Sequence, residues 1–97
     1  MPKAYLVVSY HSISDPQKFA AYAALAPAAT APFGARYIAR GTAVAAFEAG
    51  LKERIVITEF PSAQQALAAY ESPAYRAALK ALHDGAVRDV RIVEGLE

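Results

Sequence analysis

The stretch Arg54–Ser62, RIVITEFPS, decides how the rest of the chain is organised. It joins an apolar run typical of a β-strand to Pro61, which ends the strand, and to Ser62, which can cap a following helix. The residues before it predict one half of a small α+β unit, and the residues after it predict the other half.

Side chains alternate along a strand, so this stretch has two faces. Ile55, Ile57 and Glu59 are predicted to share the face that lies under the helices. Val56 and Phe60 are then predicted to lie on the opposite, open face. A carboxylate beneath helices is unusual, because an isolated buried charge is costly.

Composition limits the size of the core and the class of partner. The chain has 97 residues, and 24 of them are alanines that bury little area. A second copy would help to close such a small core, so we expect a homodimer. The net charge of +1 comes from dispersed residues, which argues against a nucleic-acid surface.

The absence of cysteine excludes disulfides and thiolate metal sites. The first apolar run, residues 4–8, is too short for a signal-peptide core or a membrane span. We therefore expect a cytoplasmic protein that does not enter a membrane.

Periodicity and capping signals predict the elements in order. They are a strand (residues 4–11), a helix that starts at 15–16 and ends between 25 and 31, a strand (35–40), a hairpin arm (43–48), a strand (54–60), two helices separated at 72–73, and a strand (87–93). We predict a single α+β domain over residues 1–97: a ferredoxin-like βαββαβ sandwich with an extra hairpin arm and an antiparallel sheet. The helices are predicted to cover one face. The open face, with Ile38, Val56 and Phe60 among arginines, is predicted to pack on a second copy.

Three motifs carry a resemblance to a known family. They are Arg-Tyr-Ile-Ala-Arg-Gly at 36–41, Glu-Phe-Pro-Ser at 59–62 and Ser-Pro-Ala-Tyr at 72–75. With them, nearly the whole chain resembles the domain-of-unknown-function 1330 family. The family often carries a second glycine after Gly41, where this chain has Thr42.

The resemblance implies a dimeric α/β barrel, in which ferredoxin-like subunits pair through their sheets. Superfamily relatives include cofactor-free monooxygenases, isomerases, and dehalogenating or peroxidase-like enzymes. The family itself has no settled activity, so the resemblance implies fold and assembly more than chemistry.

Glu59 is the sharpest chemical candidate. It could be a proton acceptor with a raised pKa in a pocket under the helices. The alternative is a structural carboxylate near the strand end, bonded to tyrosine hydroxyls or to an arginine. His11, at the end of the first strand, is a candidate second proton carrier.

Aromatic and polar residues from several elements could line the same pocket. Tyrosine offers an apolar body and one hydroxyl, which suits such a wall, although each could equally fill an alanine-rich core. The candidate ligand-binding residues of this group are Tyr22, Tyr37, Tyr70, Ser72 and Tyr75.

Arg36 and Arg40 are two strand pitches apart and are predicted to share a face. They could clamp an anionic group of a ligand, or pair with acidic residues across a subunit boundary. Two lone histidines make no metal motif, and no nucleotide-binding or nucleophile motif is present, so we expect no metal and no cofactor.

These observations leave three hypotheses open. The chain could be a homodimer that binds a small organic molecule and performs cofactor-independent proton-transfer or oxygenase chemistry. It could bind or sense a ligand without chemistry, or be a structural dimer whose cavity is filled by its own side chains. An empty or ligand-filled cleft of about 300 Å³ or more that touches Glu59 would support the first two hypotheses, and solid packing there would eliminate them.

Overall fold

A computed structural model of the chain describes residues 2–96. Within those residues, four antiparallel strands form a sheet in the order β2-β3-β1-β4, and three α-helices cover one face. The elements are β1 (Ala4–Ile13), α1 (Pro16–Thr30), β2 (Arg36–Thr42), β3 (Arg54–Phe60), α2 (Ala63–Glu71), α3 (Pro73–Leu82) and β4 (Ala86–Glu94). The predicted α+β class, the antiparallel sheet and the one-sided helices are confirmed.

The predicted capping residues begin the helices. Asp15 accepts hydrogen bonds from the amides of the first turn of α1, with N···O distances of 3.0 and 3.2 Å. Ser62 caps α2 and Ser72 caps α3, each at 3.2 Å from the third amide that follows. Helix α1 continues through Pro27 and ends at Thr30, inside the predicted limits.

The orientation of β3 is the reverse of the prediction. Val56, Thr58 and Phe60 are 9%, 3% and 0% exposed and form the helix-facing core, whereas Ile57 and Glu59 lie on the open face. The alternation was read correctly, but both faces of this strand are apolar. Long-range packing against α2 therefore decides which face is buried.

A β-bulge divides β2. The register of β2 against β3 shifts at Ile38, so this residue has no partner in the ladder. Before the bulge Arg36 lies opposite Glu59 on the open face, and after it Arg40 lies opposite Val56 on the helix side. The prediction that the two arginines share a face is wrong, because a bulge breaks strict alternation.

The open face of the sheet is apolar in its centre. Val7 of β1 and Ile55 and Ile57 of β3 lie on it, and Val93 of β4 is 55% exposed. Val56 and Phe60, which were predicted here, are instead buried under the helices. Charged side chains surround this apolar centre, as described below.

The arm predicted as a hairpin at residues 43–48 contains no β-strand: the whole connection between β2 and β3, residues 43–53, is irregular. The amide of Ala43 donates to the carbonyl of Glu53 at 2.9 Å, which closes the base of the arm. Its apolar residues Val44 and Phe47 are 93% and 79% exposed. Across residues 2–96, no helix is both long enough and apolar enough to cross a membrane.

The helices differ in what they pack on. Helix α2 packs on the sheet, through Ala66 and Ala69. Helix α1 packs mainly on α3, through Tyr22, Ala26 and Tyr75, and contacts the strands less. A gap therefore remains between α1 and the sheet, and it forms the site described next.

Candidate functional site

The gap between α1 and the sheet is a narrow cleft of about 50 Å³ that is partly open to solvent. It is smaller than the roughly 300 Å³ expected of a small-molecule site. We call it the inner cleft. Its walls are mainly apolar and aromatic, and hydroxyl and guanidinium groups project into it. The lining residues are Leu6, Val8, Tyr10, Phe19, Tyr22, Ala23, Ala26, Pro27, Thr30, Tyr37, Arg40, Arg54, Val56, Thr58, Tyr75 and Arg88.

Two tyrosines close the helical side of the inner cleft. Tyr22 of α1 and Tyr75 of α3 are buried, and their hydroxyls hydrogen-bond to each other. Their rings meet edge to face, with centroids 6.0 Å apart. Tyr70 packs on Tyr75 at 4.9 Å from outside the lining, so it supports the wall without forming it.

Arg88 of β4 ties this tyrosine pair to the sheet. Its Nη1 donates to the hydroxyl of Tyr22 at 3.0 Å and to that of Tyr10 at 3.3 Å. The guanidinium also lies 4.7 Å from the centroid of the Tyr22 ring, a cation–π distance. Hydroxyls from three elements are thus held in a fixed arrangement around one cation.

Burial raises the pKa of three tyrosines that line the cleft, Tyr10, Tyr37 and Tyr75. For Tyr10 the neighbouring Arg88 partly opposes this effect, and for Tyr37 a hydrogen bond with Thr30 does so. The pKa of Tyr75 is raised further, by burial first and then by the neighbouring Tyr22. Near neutral pH these hydroxyls are therefore neutral groups that can donate a hydrogen bond to an anion, and they are not phenolate bases.

Two further arginines reach the inner cleft from β2 and β3. The guanidinium of Arg40 lies 4.7 Å from the centroid of Tyr37, and that of Arg54 lies 5.3 Å from the centroid of Phe19. The Nε of Arg54 is buried and has no hydrogen-bond partner within residues 2–96. The lining residues include no carboxylate and no histidine, so the cleft carries an excess of positive charge.

Glu59 lies outside the inner cleft, on the opposite face of the sheet. Its Oε1 lies 3.5 Å from Nζ of Lys3 and 3.9 Å from Nη1 of Arg36, and its side chain is 17% exposed. This arrangement matches the structural alternative considered for Glu59, in which an arginine neutralises it. The inner cleft and the candidate base are thus on different surfaces of the subunit.

His11 also lies on the open side. Its Nε2 is 3.1 Å from Oδ2 of Asp89, and both side chains are partly exposed. With the arm, the two residues border a second hollow, which we call the outer hollow. Glu59 does not line it either, so the structure does not bring His11 and Glu59 into one site.

Ser72 is placed as a capping residue. Its Oγ donates to the carbonyl of Ala69 at 2.8 Å and accepts from the amide of Tyr75 at 3.2 Å. Both hydrogen-bonding capacities are used within the chain, and Ser72 does not line the inner cleft. Its contribution is to fix the start of α3 and with it the position of Tyr75.

Of the residues selected from sequence, the structure brings Tyr22, Tyr37, Tyr75 and Arg40 together in the inner cleft. It adds Arg54 and Arg88, which sequence reasoning missed. Arg54 alternates with Val56, so the correct orientation of β3 would have pointed it into the cleft. Within the described part of the chain, no group of three or more metal-ligating side chains is assembled.

Comparison with known sequences gives one family. The sequence model of the family described as "Domain of unknown function (DUF1330)" matches residues 3–96. No curated protein matches the chain.

Comparison with solved structures gives the fold. A protein of unknown function from Rhodopseudomonas palustris has a TM-score of 0.75 at 16% identity, over 99% of this chain and 84% of that one. SnoaB, a cofactor-independent oxygenase from Streptomyces nogalater, has a TM-score of 0.66 at 13% identity, over 100% of this chain and 96% of that one. A dimeric ferredoxin-like protein of unknown function from Thermobifida fusca has a TM-score of 0.65 at 16% identity, over 96% and 91%. At these identities the likeness establishes a shared ferredoxin-like fold.

Proposed function

We propose, from the premise that the chain belongs to the family of domain of unknown function 1330, that it binds a small organic molecule in the inner cleft and works as a homodimer. The observation that carries the binding proposal is the composition of the cleft. Apolar and aromatic walls surround a few converging polar groups, which is the usual make-up of a small-molecule site.

The polar groups suit a ligand with an oxygen that is charged or becomes charged. Arg88 remains protonated at any pH that a folded protein tolerates, and the hydroxyls around it are already oriented. Fixed donors beside apolar walls stabilise an oxyanion without reorganising when it forms. The inner cleft could therefore hold an enolate, a phenolate or a carboxylate.

Catalysis in this cleft would differ from the scheme suggested by sequence. The lining supplies cations and neutral hydroxyls but no carboxylate or imidazole base. A substrate there would have to lose its own acidic proton to solvent, with the nearby arginines favouring its anion. SnoaB is described as a cofactor-independent oxygenase, and a substrate anion that reacts directly with dioxygen is compatible with this proposal.

Binding or sensing without chemistry is the second candidate. The same absence of a protein base from the cleft lining favours it. Incubation of a bound compound with the protein in air and in the absence of oxygen distinguishes the two. Oxygen-dependent loss of the compound indicates an oxygenase, and an unchanged compound indicates a binding protein.

The open face of the sheet supports the homodimer. Its apolar centre, Val7, Ile55, Ile57 and Val93, is rimmed by charged side chains, as protein interfaces commonly are. The Thermobifida fusca protein of the same fold is described as dimeric. We propose that a second copy covers this face, and that Arg36 and Glu59 lie at its rim.

The binding proposal is tested by amide chemical shifts. A set of small aromatic acids, phenols and amides is titrated into the labelled protein, and saturable shifts are expected at Phe19, Tyr22 and Tyr75. Ala23→Phe places a ring in the inner cleft and should abolish these shifts. Ala24→Phe, on the exposed side of the same helix, is the matched control and should retain them.

Shifts that survive Ala23→Phe, or that appear only around the outer hollow, would contradict binding in the inner cleft. An absence of saturable shifts for the whole set would contradict it as well.

A further inference from the structure

The inner cleft has an uncompensated charge. Three arginines line it, Arg40, Arg54 and Arg88, and no acidic residue does. None of the three forms an ion pair with a carboxylate within residues 2–96. Cations held near apolar walls without a counter-ion favour the entry of an anion.

The sheet brings these arginines to one end of the cleft. On β1 and β4, Tyr10 lies opposite Arg88. On β1 and β3, Ser9 pairs with Ile55, so Tyr10 and Arg54 follow toward the same end of the sheet. Arg40 reaches that end from the neighbouring edge strand, because the bulge at Ile38 turns it to the helix side.

The three arginines differ in whether their donors are already used within the chain. Arg88 already donates to the hydroxyls of Tyr22 and Tyr10. Arg40 lies on an exposed edge, where it stacks on Tyr37. Arg54 differs from both, because its Nε is buried and has no acceptor within residues 2–96.

A buried donor that lacks an acceptor is uncommon in a folded protein, and a missing water or ligand is a usual explanation. The group is charged, so leaving it without an acceptor is more costly than for a neutral donor. Phe19 and Arg54 both line the inner cleft, and the Phe19 ring lies 5.3 Å from the Arg54 guanidinium. A ligand whose oxygens bind the guanidinium would therefore have its apolar part along Phe19 and the aliphatic wall of the cleft.

We infer that the ligand is a small organic carboxylate, and that Arg54 is the main residue that recognises it, assisted by Arg40 at the mouth. A guanidinium binds both oxygens of a carboxylate in one plane, which suits a narrow cleft. The apolar body of the acid lies against Phe19, Val8 and Val56. This inference rests on the proposed function, since it names the class of molecule that occupies the inner cleft.

The test uses pairs of probes that differ only in charge. Benzoate is compared with benzamide and 4-hydroxybenzoate with 4-hydroxybenzamide, with affinities taken from calorimetry and amide shifts on the full chain. The carboxylates should bind about tenfold or more tightly than the amides, as expected for charge-assisted hydrogen bonds. Raising the salt concentration should weaken the carboxylates selectively.

Variants identify the residue that binds the carboxylate. Arg54→Gln should reduce carboxylate affinity by about 10- to 100-fold and change amide affinity by less than about twofold. Arg54→Lys keeps the charge but loses the planar pair of donors. Its carboxylate affinity should therefore lie between those of the wild type and Arg54→Gln. Arg76→Gln removes the same charge from the exposed outer side of α3 and should leave both affinities unchanged.

The outcomes separate the two proposals. Equal binding of acids and amides overturns the carboxylate inference and leaves small-molecule binding in the cleft intact. Binding of neither class overturns both. Inorganic phosphate that competes as well as benzoate overturns the assignment to a carboxylate, and an unchanged affinity in Arg54→Gln overturns the assignment to Arg54. If Arg54→Gln does not fold, Arg54→Lys and the salt dependence of the wild-type chain decide the matter.

Discussion

Arg36 and Arg40 project from opposite faces of the sheet, although both lie on β2. Arg36 has its Nη1 3.9 Å from Glu59 on the open face, whereas Arg40 stacks 4.7 Å from the ring of Tyr37 beside the inner cleft. The bulge at Ile38 separates them. One strand therefore contributes a cation to each of two surfaces, the one proposed for a second copy and the one proposed for a ligand.

Glu59→Gln should leave ligand affinity in the inner cleft within about twofold of wild type, because Glu59 lies on the other face. Its effect on unfolding free energy should be about 0–1 kcal/mol, as for other partly exposed ion pairs. Titration calorimetry and urea unfolding check the two values. A loss of ligand binding would show that Glu59 contributes to the site, and would contradict its placement on the other face.

Tyr22→Phe should destabilise the fold more than Tyr75→Phe. The Tyr22 hydroxyl bonds both the buried Tyr75 and the partly buried Arg88, so its removal leaves two partners without that contact, at a cost of about 2–3 kcal/mol. Removal of the Tyr75 hydroxyl leaves Tyr22 bonded to Arg88 and should cost about 1 kcal/mol. Urea unfolding of the two variants and of the double variant measures both costs and their coupling.

A coupling free energy of about 0.5 kcal/mol or more between the two changes is expected for groups in direct contact. Additive effects would contradict the hydrogen bond between the hydroxyls.

At least three of the six tyrosines should resist ionisation in the folded protein. The pKa values of Tyr10, Tyr37 and Tyr75 are raised, chiefly by burial. A raised pKa in the folded state stabilises the protein fully below the unfolded value of about 10, and this contribution is lost as the pH rises above it. Stability should therefore fall on the alkaline side, and less steeply in Tyr75→Phe.

The tyrosinate absorbance measured during an alkaline titration checks this behaviour. In concentrated guanidinium chloride all tyrosines should titrate together near the ordinary value, which provides the reference. Complete ionisation of the folded chain near that same pH would contradict the burial of these hydroxyls.

Gly34→Ala should destabilise the fold by about 1–3 kcal/mol. Gly34 has a φ of +84° at the turn into β2, and an added Cβ would lie 2.8 Å from Cγ of Pro61. The double change Gly34→Ala with Pro61→Ala removes the clash but keeps the unfavourable φ, so it should recover part of the loss. Thermal unfolding ranks the variants, and a Gly34→Ala variant as stable as wild type would refute the turn geometry.

Ile57→Lys should convert a dimer into a monomer, because Ile57 lies at the apolar centre of the open face. A charge placed there would be desolvated in the interface. Leu67→Lys, at a 50% exposed apolar residue on α2, is the matched control and should remain dimeric. Sedimentation velocity distinguishes the two states, and a wild-type chain that sediments as a monomer would contradict the proposed assembly.

Much of the fold could be predicted from local signals. The boundaries of β3 and the caps at Asp15, Ser62 and Ser72 all match the structure, because they depend on residues only a few positions apart. Tyr22, Tyr37 and Tyr75 of the inner cleft could be selected from their positions on the predicted elements. Tyr10 also lines the cleft and was not selected, whereas Tyr70 was selected and lies behind Tyr75. Arg88 carried no such local signal, and its role depends on hydroxyls that are distant in sequence.

By itself, the sequence determined which residues of β3 share a face, since alternation follows from the geometry of a regular strand. It did not determine which face of β3 the helices cover, because Ile55 and Val56 are equally suited to burial and only the packing of α2 and the sheet distinguishes them. Nor did it reveal the bulge at Ile38, which exists only where two strands pair. Only the tertiary structure shows that Glu59 lies outside the cleft and that Arg54 lines it. Local alternation does not specify which face of a strand is buried, because that depends on long-range packing.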